Sequence, residues 1–279
     1  MAKKYTFKEI FVSVMKCLLF FIGWLAMQTI ITSFAQVLLS FANPSLDTEA
    51  LSELVLSKSS EILIISNILS IMAFSFIYNR RNKTLRERAC IYPTGWGFYL
   101  NSIVLGVSFQ YVIILVLNLV YSYLPKSWID MLSENNAALE ASSPAIEFLA
   151  VALMAPILEE ILFRGLMLST LRRSMPTWPA IIVSAVLFGV AHANPIGIIY
   201  ATAGGLLMGW LACRLHSIMP SIFLHIAFNM TSLYSGEEIP YVVIIAAVPI
   251  TIYEIVVIRR RAIEAEKFIN ENTNKEDKQ

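Results

Sequence analysis

Two adjacent glutamates and an arginine, Glu159, Glu160 and Arg164, stand inside an otherwise apolar stretch that begins near Phe148. A charged side chain near the centre of a bilayer costs at least ~2.5–3.5 kcal/mol on insertion scales, so this cluster requires a purpose. Ionisable groups at such depth usually face the protein interior or a water-filled cavity, where they relay protons, bind ions or do chemistry. His192 and His225, two of the three histidines in the chain, also lie in apolar segments, and Asn229 follows His225 by one helical turn. A carboxylate, two imidazoles and an amide donor are the groups that activate a water and stabilise an oxyanion.

Helix geometry divides the labour within the cluster. Neighbouring residues project ~100° apart, so Glu159 and Glu160 cannot point at one place. Glu160 and Arg164 are i and i+4, the spacing at which an acid and a base meet, and are expected to form an internal ion pair. Glu159 is then free for another partner, with His192 the expected one. Pro156 removes the donor that the Ala152 carbonyl would otherwise use, which predicts a kink beside the site. Singly, these residues have plainer readings: a membrane histidine is most often a packing residue, an asparagine is inter-helix glue, and an ion pair is structural. His216, beside Arg214, reads as an interfacial residue. Jointly, Glu159, His192, His225 and Asn229 fall at similar depths on three helices, and they read as a site.

The elements that position them are membrane spans. Of 279 residues, 57% are hydrophobic and 15% are charged, where soluble domains carry about 45–50% and about 25%. Apolar runs of ~20 residues make this an integral membrane protein of all-α class. Spans are expected at roughly 10–40, 61–78, 97–123, 145–170, 178–193, 196–213, 218–234 and 240–258. Lys3, Lys4, Lys8, Arg80, Arg81, Lys83, Arg86, Arg88, Arg172, Arg173, Arg214 and a basic tail from Arg259 to Lys278 fall on one side. The other side holds Lys58 and Lys126 among the acids Asp47, Glu49, Glu53, Asp130, Glu134, Glu140, Glu237 and Glu238. The positive-inside rule places both termini in the cytoplasm, which requires an even number of spans and supports eight. The expected organisation is one membrane-embedded domain over 1–259 and a polar cytoplasmic tail over 260–279. The first apolar run is too long for a signal core and is read as a retained span. Cys17, Cys90 and Cys213 are widely separated, which argues against a disulfide framework or a thiolate metal site.

Three motifs, Glu159-Glu160-x-x-x-Arg164, Phe188-x-x-x-His192 and His225-x-x-x-Asn229, resemble in order those of the CPBP intramembrane proteases, also called the CAAX protease or Abi family. The resemblance covers about residues 145–232, and an eight-helix bundle is what the family implies. It further implies that Glu159 is the general base for a catalytic water that His192 also positions. His225 and Asn229 would stabilise the oxyanion, with Glu160 and Arg164 as the supporting pair and Phe188 as a packing residue.

The expected function is therefore endoproteolysis of a peptide or membrane protein by glutamate/histidine-activated water. Proton- or cation-coupled transport and a non-proteolytic immunity or regulatory role are the alternatives. No cofactor is expected to be obligatory. A zinc ion held by Glu159, His192 and His225 is the competing reading, although the His-Glu-x-x-His helix of common zinc proteases is absent from the sequence. Membrane lipid and a peptide substrate are the expected partners, and the net charge of +1 gives no reason to expect nucleic acid. Short loops point to a prokaryotic plasma membrane.

Overall fold

The computed structural model describes residues 5–79, 84–140, 142–233 and 239–276. Of the charges that set the expected topology, Lys3, Lys4, Arg80, Arg81, Lys83, Glu237, Glu238 and Lys278 lie outside the described residues. Every regular element among the described residues is helical. All eight expected spans coincide with helical segments, and the chain forms an all-α membrane bundle.

α1 (Phe7–Ala42) opens on a capping box in which the Thr6 side chain accepts from the Glu9 amide and Glu9 reaches back to Thr6. α2 (Thr48–Ser57), capped by Asp47, returns the chain to α3 (Ser59–Asn79), which packs along α1. The short α4 (Leu85–Arg88) precedes α5 (Trp96–Val120), and α6 (Lys126–Glu140) fills the next loop. A continuous helical run, the motif helix, then spans α7 (Pro144–Glu147), a π-helix over Phe148–Met154, α8 (Ala155–Glu159), a second π-helix over Glu160–Leu168, and α9 (Ser169–Leu171). α10 (Thr177–Val190), α11 (Pro195–Leu215), α12 (Met219–Leu233) and α13 (Tyr241–Glu276) complete the bundle. α1, α3, α5, α11 and α13 are each long and apolar enough to cross a membrane, whereas α10 has 14 residues.

Two glycines let the site-bearing helices meet their neighbours at backbone distance. A Cβ on Gly106 of α5 would lie 2.2 Å from the Leu224 carbonyl, next to His225 on α12. One on Gly189 of α10 would lie 2.0 Å from Thr202 Oγ1 of α11. Small residues at crossings are how helices associate in lipid, where burial of apolar surface offers no drive. Asn194 caps α11 by accepting from the Gly197 amide at 2.6 Å, with Pro195 at the first helical position. That cap fixes the turn that follows His192.

α13 is tied to α5 by polar contacts. Asn101 donates to Glu254, Arg261 donates to Asn101 Oδ1 at 2.6 Å, and Thr251 bonds Ser108 at 2.9 Å. α13 passes the expected domain edge at 259/260 without a break, and Ala262 beyond it is buried.

Candidate active site

Glu159 and Glu160 stand where the motif helix widens from α to π geometry. π-turns are rare and concentrate at functional sites. Glu160 is fully buried and Arg164 is 3% exposed, and Arg164 Nη1 donates to Glu160 Oε1 at 2.6 Å. The wider turn still carries i and i+4 close enough to meet, so the expected ion pair forms.

The side chain that the structure brings against Glu159 comes from α12. His225 lies between the two carboxylates, with Nδ1 3.1 Å from Glu160 Oε1 and Nε2 3.5 Å from Glu159 Oε2. Helix spacing had turned the two glutamates apart, but an imidazole from α12 bridges the gap. Glu159 keeps a 19% exposed side chain while Glu160 has none. The two acids thus differ in access, and Glu159 is the one that reaches open space.

His192 sits just past the end of α10, and its Nδ1 is 3.0 Å from the Phe188 carbonyl oxygen. A carbonyl only accepts, so Nδ1 carries the proton and Nε2 presents a lone pair. Phe188 holds the group together: its ring meets those of Phe163 at 5.1 Å, His192 at 5.0 Å and His225 at 5.6 Å, all edge-on. The Arg164 guanidinium lies over that ring, 4.3 Å from its centroid. Tyr200 of α11, which the sequence reading did not single out, approaches His192 edge-on at 6.0 Å.

Asn229 takes a position that α-helical reasoning did not foresee. Its Nδ2 donates to the Val151 carbonyl at 2.9 Å. In the π segment amides bond five residues back, as Ala155 does to Ala150. Continuing that register, Pro156 would bond Val151, but it has no N–H. The orphaned carbonyl therefore shifts from Ala152, as an α register would have it, to Val151, and Asn229 satisfies it. One amide N–H remains for other use.

A metal held by Glu159, His192 and His225 would need those three side chains to converge on one point. Among the described residues no three His, Cys, Asp or Glu side chains are gathered to hold an ion.

Residues 141–231 match the family described as type II CAAX prenyl endopeptidase Rce1-like. Over 99 residues the chain is 31% identical to YdiL of Bacillus subtilis (strain 168), described as a candidate membrane peptidase. That match covers 35% of this chain and 41% of the relative, so the chain spans about two-fifths of the relative's length. No solved structure matches the chain. The matched segment contains all three motifs, and the resemblance drawn from them is borne out.

Proposed function

We propose that this integral membrane protein is an intramembrane endopeptidase acting through activated water, a reading supported by the match of residues 141–231 to the CAAX prenyl endopeptidase family. The observation that carries the reading is the division between a half-open Glu159 and a sealed Glu160–Arg164 pair, with His225 bridging them. Glu159 takes a proton from a water whose oxygen attacks the scissile carbonyl carbon, and the His192 Nε2 lone pair orients that water. As the negative charge leaves Glu159 for the substrate oxygen, His225 Nε2–H is released from its carboxylate and can donate to the oxyanion. The second Asn229 N–H is the other donor, each such contact being worth about 3 kcal/mol. Protonated Glu159 then gives its proton to the leaving nitrogen as the C–N bond breaks, yielding a carboxylic acid and an amine. Glu160 and Arg164 do no proton transfer; they hold His225 Nδ1 and so aim the opposite ring nitrogen.

The substrate class is a peptide or membrane-associated protein. Both termini are assigned to the cytoplasm of a prokaryotic plasma membrane, with residues 1–259 as the catalytic domain. Glu159→Ala and His192→Ala, made separately, should each abolish appearance of the cleavage product while leaving a monodisperse protein in detergent. Full activity in both variants sinks the mechanism.

A further inference from the structure

A cavity of about 70 Å³ is lined by Arg164 but by none of Glu159, His192, His225 and Asn229. Its walls are the end of the motif helix, the Cys90 turn after α4 and the C-terminal end of α11. Arg164, Ser169, Arg172 and His216 supply its polar wall, with Cys90 and Cys213 beside them, and no carboxylate lines it. A water requires roughly 10–15 Å³ of such space, so the cavity has room for a small polyatomic group.

The decisive feature is the unused edge of Arg164. Nη1 is committed to Glu160, and Phe188 covers the guanidinium face. Nε and Nη2, the pair that forms the side-on fork of an arginine, are buried and have no partner among the described residues. Leaving two charged donors unpaired at 3% exposure is costly, and an arginine fork matches the paired oxygens of a phosphate or carboxylate. At the mouth, Arg172 is half-buried and His216 is exposed in a left-handed conformation (φ 52°). Two further nitrogen-bearing groups thereby face the same space.

We propose that this cavity is a phosphate-class oxyanion site. The anion is held bidentately by Nε and Nη2 of Arg164 and gated by Arg172 and His216. It is separate from the substrate site and reaches that site only through the arginine it shares with Glu160. The phosphate group can come from solution or from the headgroup of a lipid at the same membrane face.

The test uses the purified full chain titrated with inorganic phosphate, followed by calorimetry and by thermal unfolding in detergent. Saturable binding that raises the unfolding temperature is expected, weakened at least about tenfold in Arg172→Gln, in keeping with loss of one charged hydrogen bond. Arg172→Lys should recover most of the affinity. His216→Asn, which tolerates the left-handed backbone and sits on the surface, should weaken binding without altering the unfolding temperature of the phosphate-free protein. In nanodiscs, phosphatidic acid that competes with phosphate identifies the lipid headgroup as a source. Phosphate binding unchanged by phosphatidic acid identifies free anion. Absence of saturable binding in the wild type, or binding in Arg172→Gln and His216→Asn as tight as in the wild type, overturns the proposal. Neither result bears on Glu159 or His192, so the protease reading stands or falls separately.

Discussion

At the scale of single residues, the two adjacent acids differ in access and partner, and the proposed mechanism gives them different roles. Glu160→Gln removes one half of a buried ion pair and leaves Arg164 unpaired, which costs about 3–5 kcal/mol at such sites. A marked fall in unfolding temperature is expected, together with lost cleavage. Glu159→Gln keeps the shape but cannot accept a proton; cleavage should vanish while the unfolding temperature changes little. Comparing the two melting curves separates support from catalysis, and equal destabilisation would contradict the assignment. Because the proposed mechanism activates water with side chains alone, activity should survive a zinc chelator such as phenanthroline in detergent. Loss on chelation and return on adding zinc would overturn the metal-independent reading. At this scale the sequence was most informative. Glu160–Arg164 followed from helix spacing alone, since both partners lie on one segment. The His225 bridge did not, because it depends on how α12 docks against the motif helix, which local spacing cannot convey.

At the scale of elements, the site depends on a helix that is twice wound too loosely. Pro156 lies between the two π segments, and Asn229 donates to the carbonyl that Pro156 cannot serve. This makes a double-variant prediction. Asn229→Ala should lower stability by about 1–3 kcal/mol, the usual cost of an unsatisfied buried carbonyl, and should also lose cleavage. Adding Pro156→Ala restores a backbone donor for Val151, so stability should return while cleavage does not. Recovery of both would make Asn229 purely structural. Recovery of neither would show that Pro156 is not what orphans that carbonyl. The kink itself was legible in Pro156, but its register was not. A π-turn has no side-chain periodicity of its own to betray it, so α counting named Ala152 instead of Val151. The glycine crossings carry a parallel expectation: Gly106→Val meets the Leu224 carbonyl head-on and should cost about 1–3 kcal/mol by overpacking. Loss of cleavage should accompany it, since Leu224 adjoins His225.

At the scale of the whole molecule, hydropathy already located the helices of the bundle. All eight apolar segments are helical, and the polar helices α2 and α6 occupy loops that the hydropathy reading left as connections. What hydropathy concealed is that the last span is not a passive anchor. Glu254 is a buried acid within α13, paired with Asn101 and through it with Arg261. One carboxylate in a long apolar run barely alters a window average, so its partner on α5 is invisible without the fold. The charge pattern makes a separate prediction of sidedness. Single cysteines in a cysteine-free background at Lys8 and Lys267 should be labelled by impermeant maleimide only after the cells are opened, and one at Lys126 should be labelled in intact cells. Labelling at Lys8 and Lys126 from the same side would refute the assigned topology.

The central claim is that Glu159 activates water for cleavage of a membrane-associated peptide. Its most direct test is quantitative proteomics of new protein termini in membranes from cells carrying the wild type or the Glu159→Ala variant at equal abundance. The account predicts at least one terminus present with the wild type and absent with the variant, its uncut precursor accumulating in step. Indistinguishable sets of termini, with the variant still supporting the protein's cellular role, would contradict it.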